Sequence, residues 1–474
     1  MSDFVVLERA SEIGGTWRDN VYPGCQCDVP SHLYSFSFAL NPDWTRTYSM
    51  QPEIWDYLRR CAERAGVLEH VQFDANVTHV TWIDTEKTWR IETSRGVWSA
   101  DALVSGHGGL AEPSIPAIAG LDSFEGEVVH SAAWRSDVEL DDRNIAVVGT
   151  GASAIQIVPK IQPRVASLRV FQRTPPWILP HTDRPITAAE RAVYRRFPAA
   201  QKALRLAIYL ARETLVVGLA KDPRFLAPLR ALARRHLRAQ VPDRSLRRKL
   251  APSYSPGCKR LLLSNDYYPA LAQPNCDVVT DPIVEVTPRG VVTGAGKHHD
   301  VDVLVFATGF RVTDNPMLER VTGRDERTLE QSWADGGMSS YLGTTVPGFP
   351  NLFLLTGPNT GIGHTSLVVM IEAQIDYVLR CLRYMASRDV TSLEVRRDVA
   401  DRFTAEVQRK MRRTVWTMGG CSSWYLDDKG RNTTLWPDFT WRFRRLARRF
   451  RPSDYVVVNE RAERPTPFLE GPAR

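Results

Sequence analysis

The stretch Asn144–Thr174 constrains the fold of this chain more than any other. Ile145–Val148 is a short apolar run, followed at once by Gly149-Thr150-Gly151-Ala152-Ser153-Ala154. Ile155, Ile157, Val158 and Ile161 then mark an amphipathic helix, and Leu168–Phe171 reads as a second buried strand. Strand, glycine turn, helix, strand is the unit that binds a dinucleotide. Gly149 permits the tight turn, and Gly151 lets a pyrophosphate approach the backbone. Ala154 is small enough for helix and strand to pack closely. The loop through Ala152 and Ser153 leads to the helix N-terminus, whose unpaired N–H groups face the phosphates.

The end of the second strand selects the nucleotide. An NAD site places an acidic side chain there for the ribose 2′-OH, whereas this chain has Arg173 and Thr174. A guanidinium and a hydroxyl suit a 2′-phosphate, so the pattern favours NADPH over NADH.

At 474 residues the chain is long enough for about three domains. The hydrophobic share of 43% and charged share of 24% place it with soluble globular proteins. The net charge of +7 is mild for this length; it suits anionic cofactors and does not demand nucleic acid. Seven cysteines form no paired framework, which points to a reducing cytoplasm, and Cys25 and Cys27, spaced CxC, read as packing residues. No signal peptide opens the sequence, and no apolar run reaches membrane-spanning length; Leu215–Ala220 is far too short. No metal site is read.

The beginning of the chain is unusual. Asp3–Leu7 reads as a strand closed by Glu8, the arrangement of the second strand of another dinucleotide unit, with the acid on an adenosine ribose. The matching glycine fingerprint belongs about 20 residues upstream, and Met1 leaves no room for it. The expectation is that the start lies too far downstream, or that the first strand, phosphate loop and helix are missing. Gly14–Asp28 follows, with paired glycines, Trp17 and Tyr22-Pro23-Gly24 in what reads as a rigid loop able to wrap a flat ring.

Gln51–Ala65 is predicted helical, with Pro52 in its first turn and Ile54, Leu58, Cys61 and Ala65 on one face. Val77–Trp82 and Trp89–Thr93 read as hairpin strands, and Ala102–Val104 leads to a glycine-bearing exit at Gly106. After Thr174, Ala188–Leu250 is helical and arginine-rich, an amphipathic insertion packed on the domain. Val278–Thr280, Ile283–Thr287 and Val291–Thr293 form a predicted meander before Val301–Phe306 and a second glycine exit at Gly309. The two exits form a weak internal repeat, of the kind two nucleotide-binding domains give. Leu352–Leu355 and the long apolar helix Thr365–Met385 return the chain to the first domain. In the tail, Trp424, Trp436 and Trp441 read as core or pocket lining.

Phe124-x-Gly126-x-x-x-His130-x-x-x-Trp134 resembles the fingerprint of the type I Baeyer–Villiger monooxygenases. Gly14-Gly15-Thr16-Trp17 with Tyr22-Pro23-Gly24 and Asp28 resembles that family's second signature, and Ala307-Thr308-Gly309 also matches. The sequence departs from the pattern in its absent amino-terminal FAD phosphate loop and in Arg135 after Trp134. The resemblance implies an α/β fold with two Rossmann-like domains: FAD in a discontinuous domain, NADPH in an inserted one, with small β-meanders and the helical insertion. The implied boundaries are 1–117 for the first part of the FAD domain and 118–142 for a linker with the fingerprint. Residues 143–312 form the NADPH domain, with its helical insertion at about 188–250, and 313–474 hold the second FAD part and a lid or tail.

The resemblance further implies an NADPH- and O2-dependent flavoprotein that converts ketones to esters or lactones through a C4a-peroxyflavin. Glu8, Gly14–Trp17, Asp28, Gly357 and Asn359 would hold FAD, and Gly149, Gly151–Ala154, Arg173, Thr174 and Lys259 would hold NADPH. Arg260 matches the catalytic arginine, Asp28 the carboxylate that fixes its direction, and Phe124, Gly126, His130 and Trp134 the residues that couple domain movement to catalysis. An S- or N-oxygenating enzyme on the same scaffold and a non-catalytic NADPH-binding remnant stay open as alternatives. The implied partners are a small ketone or heteroatom substrate and O2.

Overall fold

The structure, a computed structural model, describes residues 3–459. At its centre is a parallel five-stranded sheet in the spatial order Cys276–Val279, Ser167–Phe171, Asn144–Val148, Val303–Phe306, Glu127–His130. Parallel strands covered on both faces need apolar side chains in both directions, and Ile145, Ala146 and Val147 are all fully buried. The helix Ala154–Ile161 covers one face, with Ile155, Ile157, Val158 and Ile161 against Leu168, Val170, Val303 and Val305. Val286 and Val291, from an antiparallel meander, cover the other face over Ala146, Leu304 and Phe306.

The structure differs from expectation in two strands of this region. Val278–Thr280 was expected to open the meander, but Cys276–Val279 is a strand of the parallel sheet, beside Ser167–Phe171. Both Val278 and Val279 are buried, one against each layer. The segment 118–142, expected as a linker, contributes the edge strand Glu127–His130.

The remaining sheets draw on distant parts of the chain. Leu103–Ser105 pairs in parallel with Leu352–Leu354, so the chain does return to its first half. Val77–Ile83, Thr88–Thr93 and Gly96–Ala100 are antiparallel, with Val321–Thr322 added at the edge. The first strand is only Val6–Leu7, paired with Val71–Gln72; Phe4 and Val5 precede it and are exposed. The helix Gln51–Arg64 buries Ile54, half-buries Leu58 and Cys61, and leaves Ala65 exposed at its C-cap.

The Ala188–Leu250 region is helical as expected, in the segments Ala188–Arg196, Pro198–Glu213, Ala227–Gln240 and Arg244–Lys249. Two other expectations are corrected. Cys258 and Cys421 form a disulfide, so the cysteines are not all unpaired; Cys25 and Cys27 are free and buried, as packing residues are. Of the tail tryptophans, Trp436 is buried, whereas Trp441 lies on a solvent-facing turn of the helix Thr440–Ala447.

Candidate active site

A cleft of about 3630 Å³ runs between the central sheet and the first half of the chain. Glu8, Gly14–Trp17 and Asp28 line it from one side, and Gly149–Ser153, Arg173, Thr174, Lys259 and Arg260 from the other. Gly357 lines it from the returning segment.

The two sides meet in one ion pair. Arg260 donates through Nε and Nη2 to both carboxylate oxygens of Asp28, the Nη2 bond being 2.6 Å long. This fork fixes the plane of the guanidinium as well as its position. Burial pushes the Asp28 carboxyl up, but the charge and hydrogen bonds of Arg260, with Arg212 further off, hold it below the usual carboxylate range. The Asp28 charge in turn pushes Arg260 above the ordinary guanidinium value against the effect of burial. Both groups are therefore ionised across the working pH range. About a third of the Arg260 side chain stays open to the cleft, which leaves it free to face a second anion.

The nucleotide turn has the expected shape. Gly149 has φ of +112°, and a Cβ on it would sit 2.5 Å from the Ala307 carbonyl oxygen. Only glycine fits there. A Cβ on Gly151 would meet nothing within 4 Å, so the backbone is open for a phosphate to approach. Thr150 Oγ1 donates to the Thr174 carbonyl at 3.0 Å and ties the turn to the end of the neighbouring strand. Ala154 does not line the cleft but packs fully buried between helix and sheet.

Arg173 and Lys259 stand close together on this wall. Burial lowers the Lys259 pKa, and the Arg173 charge lowers it further. Among the described residues neither is in an ion pair, so two cations face one space with no carboxylate to neutralise them. A phosphate dianion is the ligand chemistry that relieves such a pair. These observations fit a phosphorylated dinucleotide.

The first half also has room for a second nucleotide. Glu8 closes the Val6–Leu7 strand on the cleft wall and accepts from Arg18 Nη1 at 3.1 Å and from the Ala10 N–H at 3.0 Å. Gly14–Trp17, expected as a loop, instead opens a one-turn helix, Thr16–Asp19, with Gly15 at its N-cap. Trp17 Nε1 donates to the Tyr34 hydroxyl at 2.9 Å, which locks the indole in place. A Cβ on Gly357 would lie 2.3 Å from the Gly343 carbonyl. Thr365 Oγ1, buried on the cleft wall, has no hydrogen-bond partner among the described residues. A buried hydroxyl without a partner is what a ligand-shaped gap leaves behind.

Five further expected site residues, Asn359, Phe124, Gly126, His130 and Trp134, stand back from the cleft. Asn359 has φ of +58° and donates both amide hydrogens to the Asn432 and Leu435 carbonyls, each at 3.0 Å. Its side chain anchors the 432–435 loop, which corrects the expectation of a direct cofactor contact. Phe124 packs on the meander layer, and a Cβ on Gly126 would meet the Asp302 carbonyl at 2.4 Å. Both support the edge of the parallel sheet. His130 ends the edge strand; its Nδ1 accepts from the Ala132 N–H at 3.1 Å, and burial lowers its pKa. Trp134 packs partly buried against the core of the nucleotide sheet.

Sequence reasoning missed two groups next to Arg260. Cys258, two residues before it, is bonded to Cys421, and Tyr425 lies close enough for its hydroxyl to sense both Arg260 and Asp28. Nothing in the spacing announces a pair 163 residues apart.

A two-domain α/β oxidoreductase that brings two dinucleotides to one charged cleft is the class defined by this arrangement. Residues 3–204 match the flavin-binding monooxygenase-like family. A Baeyer–Villiger monooxygenase of Streptomyces coelicolor is 49% identical over 474 residues, covering 99% of this chain and 90% of the relative. Cyclohexanone monooxygenase from Rhodococcus sp. Phi1 bound to NADP+ superposes with a TM-score of 0.84 at 28% identity, covering 96% of this chain and 94% of that one. OTEMO in complex with FAD and NADP superposes with a TM-score of 0.85 at 27% identity, over 96% and 94% of the two chains. The chain belongs to the Baeyer–Villiger monooxygenases, FAD-dependent enzymes that use NADPH.

Proposed function

We propose that this chain uses NADPH and O2 to insert one oxygen atom into a small ketone, giving an ester or lactone, with Arg260 as its catalytic cation. The observation that carries this reading is the forked Arg260–Asp28 pair, spanning the cleft between the two nucleotide stations. FAD and NADPH, when bound, supply the oxygen and electron chemistry.

The protein's part is position and field. Arg260 presents a permanent positive charge to an oxygen that becomes anionic during the reaction, and Asp28 keeps it aimed while no anion is there. A preorganised charge of this kind lowers the barrier by about 3–4 kcal/mol. Arg173, Thr174 and Lys259 hold the 2′-phosphate of NADPH, and Gly149 and Gly151 admit its pyrophosphate. Glu8, Gly14–Trp17 and Gly357 form the FAD station. His130 and Trp134, beside the nucleotide sheet, would transmit domain movement, so that Arg260 could leave the cleft and return to it.

Arg260→Ala tests this assignment. Ester formation is expected to fall by about 10²–10³-fold, while reduction of bound flavin by NADPH stays measurable by its loss of visible absorbance. Equal turnover of a cyclic ketone by the variant removes Arg260 from the mechanism. Comparing a cyclic ketone with a thioether as substrate distinguishes carbon from heteroatom oxygenation.

A further inference from the structure

The helix Pro198–Glu213 in the insertion is amphipathic in the wrong sense for a soluble protein. Its polar side chains other than Lys202 face inward. Gln201, only 2% exposed, donates to the Asn41 carbonyl at 2.6 Å, and Arg205 donates to the His32 and Leu33 carbonyls at 3.0 and 2.9 Å. Arg212 reaches the Tyr48 hydroxyl, and buried Glu213 accepts from the Thr440 N–H. These bonds fix the rotation of the helix, because each of these groups is costly to leave buried and unpaired.

The opposite face therefore points to solvent, and apart from Lys202 near its start it is apolar. It consists of Ala199, Ala203, Leu206, Ala207, Leu210 and Ala211, which fall on one side at 3.6 residues per turn. Leu206 and Leu210 are 54% and 55% exposed. Phe197, at the junction with the preceding helix, is 58% exposed and extends the stripe. A 16-residue helix is about 24 Å long, so this is a continuous patch rather than the scattered apolar exposure common on protein surfaces.

Positive charge borders the stripe. Arg196 and Lys202 are exposed at its N-terminal end, beside Arg195, which is paired with Asp43. Beside it lies the helix Thr440–Ala447, joined to it by the Tyr209–Thr440 hydroxyl contact at 2.9 Å and carrying exposed Trp441, Arg444 and Arg445. Residues 188–250 contain 16 Lys and Arg against 4 Asp and Glu, a net charge of +12. The whole chain is only +7, so everything outside the insertion is net negative. An apolar stripe with a cationic border and a Trp beside it matches the boundary between lipid headgroups and acyl chains. Facing a second copy of this chain, the same surface would set arginine against arginine. No helix among the described residues is long and apolar enough to cross a membrane, so the contact is with the surface of the bilayer.

We propose that the outer face of Pro198–Glu213, bordered by Arg195, Arg196, Lys202 and Arg444, seats this enzyme on an anionic lipid surface. The experiment is co-sedimentation of the full-chain holoenzyme with phosphatidylglycerol/phosphatidylcholine vesicles and with pure phosphatidylcholine vesicles, at low and high salt. Binding to the anionic vesicles is expected to exceed that to the neutral ones by about tenfold or more and to weaken as salt screens the border. The paired change Leu206→Glu and Leu210→Glu is expected to abolish it while leaving ketone turnover in solution unchanged. Both side chains face solvent, and an unchanged melting temperature verifies that the variant folds. Failure of the wild-type protein to pellet overturns the proposal, as does equal binding to neutral vesicles. A wild-type dimer that the paired change converts to monomer assigns the face to a second copy and also overturns it. Preferential retention by duplex DNA over vesicles has the same consequence.

Discussion

The strands Asn144–Val148 and Ser167–Phe171 of the nucleotide sheet are neighbours in the sequence as well as in space, joined by one glycine turn and one short helix. On the other side of the cleft, Leu103–Ser105 finds its partner only at Leu352–Leu354. Asn351, 250 residues from Asp101, donates one amide hydrogen to the Asp101 carbonyl and the other to that of Thr391, and thereby holds that return in place. The first arrangement closes small loops and forms from local contacts; the second must close a long one before any contact offsets the entropy lost. The contrast places the cleft between a side that can fold largely from nearby segments and a side that cannot. Contacts that cross between distant segments then do more for stability than contacts within either.

The largest test of this contrast is the Cys258–Cys421 bond. It ties the Arg260 turn of the nucleotide side to the tail and closes a loop of 163 residues. Constraining an unfolded chain over that distance is worth up to about 5 kcal/mol in the loop-entropy account. A dithiol reductant is therefore expected to lower the thermal midpoint of the wild-type protein by several degrees. The double variant Cys258→Ala, Cys421→Ala should start at the lower midpoint and be indifferent to reductant. A wild-type midpoint that does not move with reductant would show that this link does not stabilise the tail against the nucleotide side.

The same contrast explains how much of the molecule was legible in the sequence. The glycine unit could be read because each of its constraints lies within a few residues of the next: the left-handed φ of Gly149, the open backbone of Gly151, the buried methyl of Ala154. The Arg260–Asp28 pair joins residues 232 apart, so no spacing announces it; only the resemblance to a known family picked out both partners. The disulfide had neither kind of signal. Asn359 was placed on FAD by the resemblance alone. Its left-handed φ and the two carbonyls it satisfies belong to the 432–435 loop, which sequence order does not bring near. Val278–Thr280 was assigned to the meander, although Cys276–Val279 joins the parallel sheet, because an apolar run does not state which neighbour it pairs with.

A smaller effect is expected from the cation pair on the nucleotide side. Arg173 and Lys259 share one unneutralised space, so each should give a charge-assisted hydrogen bond to a 2′-phosphate, worth about 1.5–3 kcal/mol. Arg173→Ala should raise KM for NADPH by about 10–100-fold and leave KM for NADH nearly unchanged, because NADH has no phosphate there. Steady-state kinetics with both cofactors check this. An equal rise for both would mean that Arg173 supports the fold of the nucleotide side and not cofactor choice.

The smallest effect concerns His32, where the first half meets the helical insertion. His32 is 4% exposed; its Nδ1 accepts from Gln201 Nε2 at 3.2 Å, and its ring packs edge-on against Tyr194. Burial pushes the imidazole pKa down to about 4; the Glu190 charge opposes this and Arg184 adds to it. The neutral ring is thus the native form, and the unfolded chain, with an ordinary His pKa near 6.5, binds more protons between about pH 6.5 and 4. The stability His32 contributes is complete above about pH 6.5, declines as the pH falls through that window and levels off below about 4. By pH 5.5 the loss should be about 1 kcal/mol, and protonation of Nδ1 removes the acceptor that Gln201 uses. In His32→Asn, whose amide does not titrate, the fall in melting temperature between pH 6.5 and 5.5 should be shallower than in the wild type. Identical slopes would assign the acid sensitivity to His130, His181 or another buried imidazole, and the junction between insertion and first half would then be insensitive to pH.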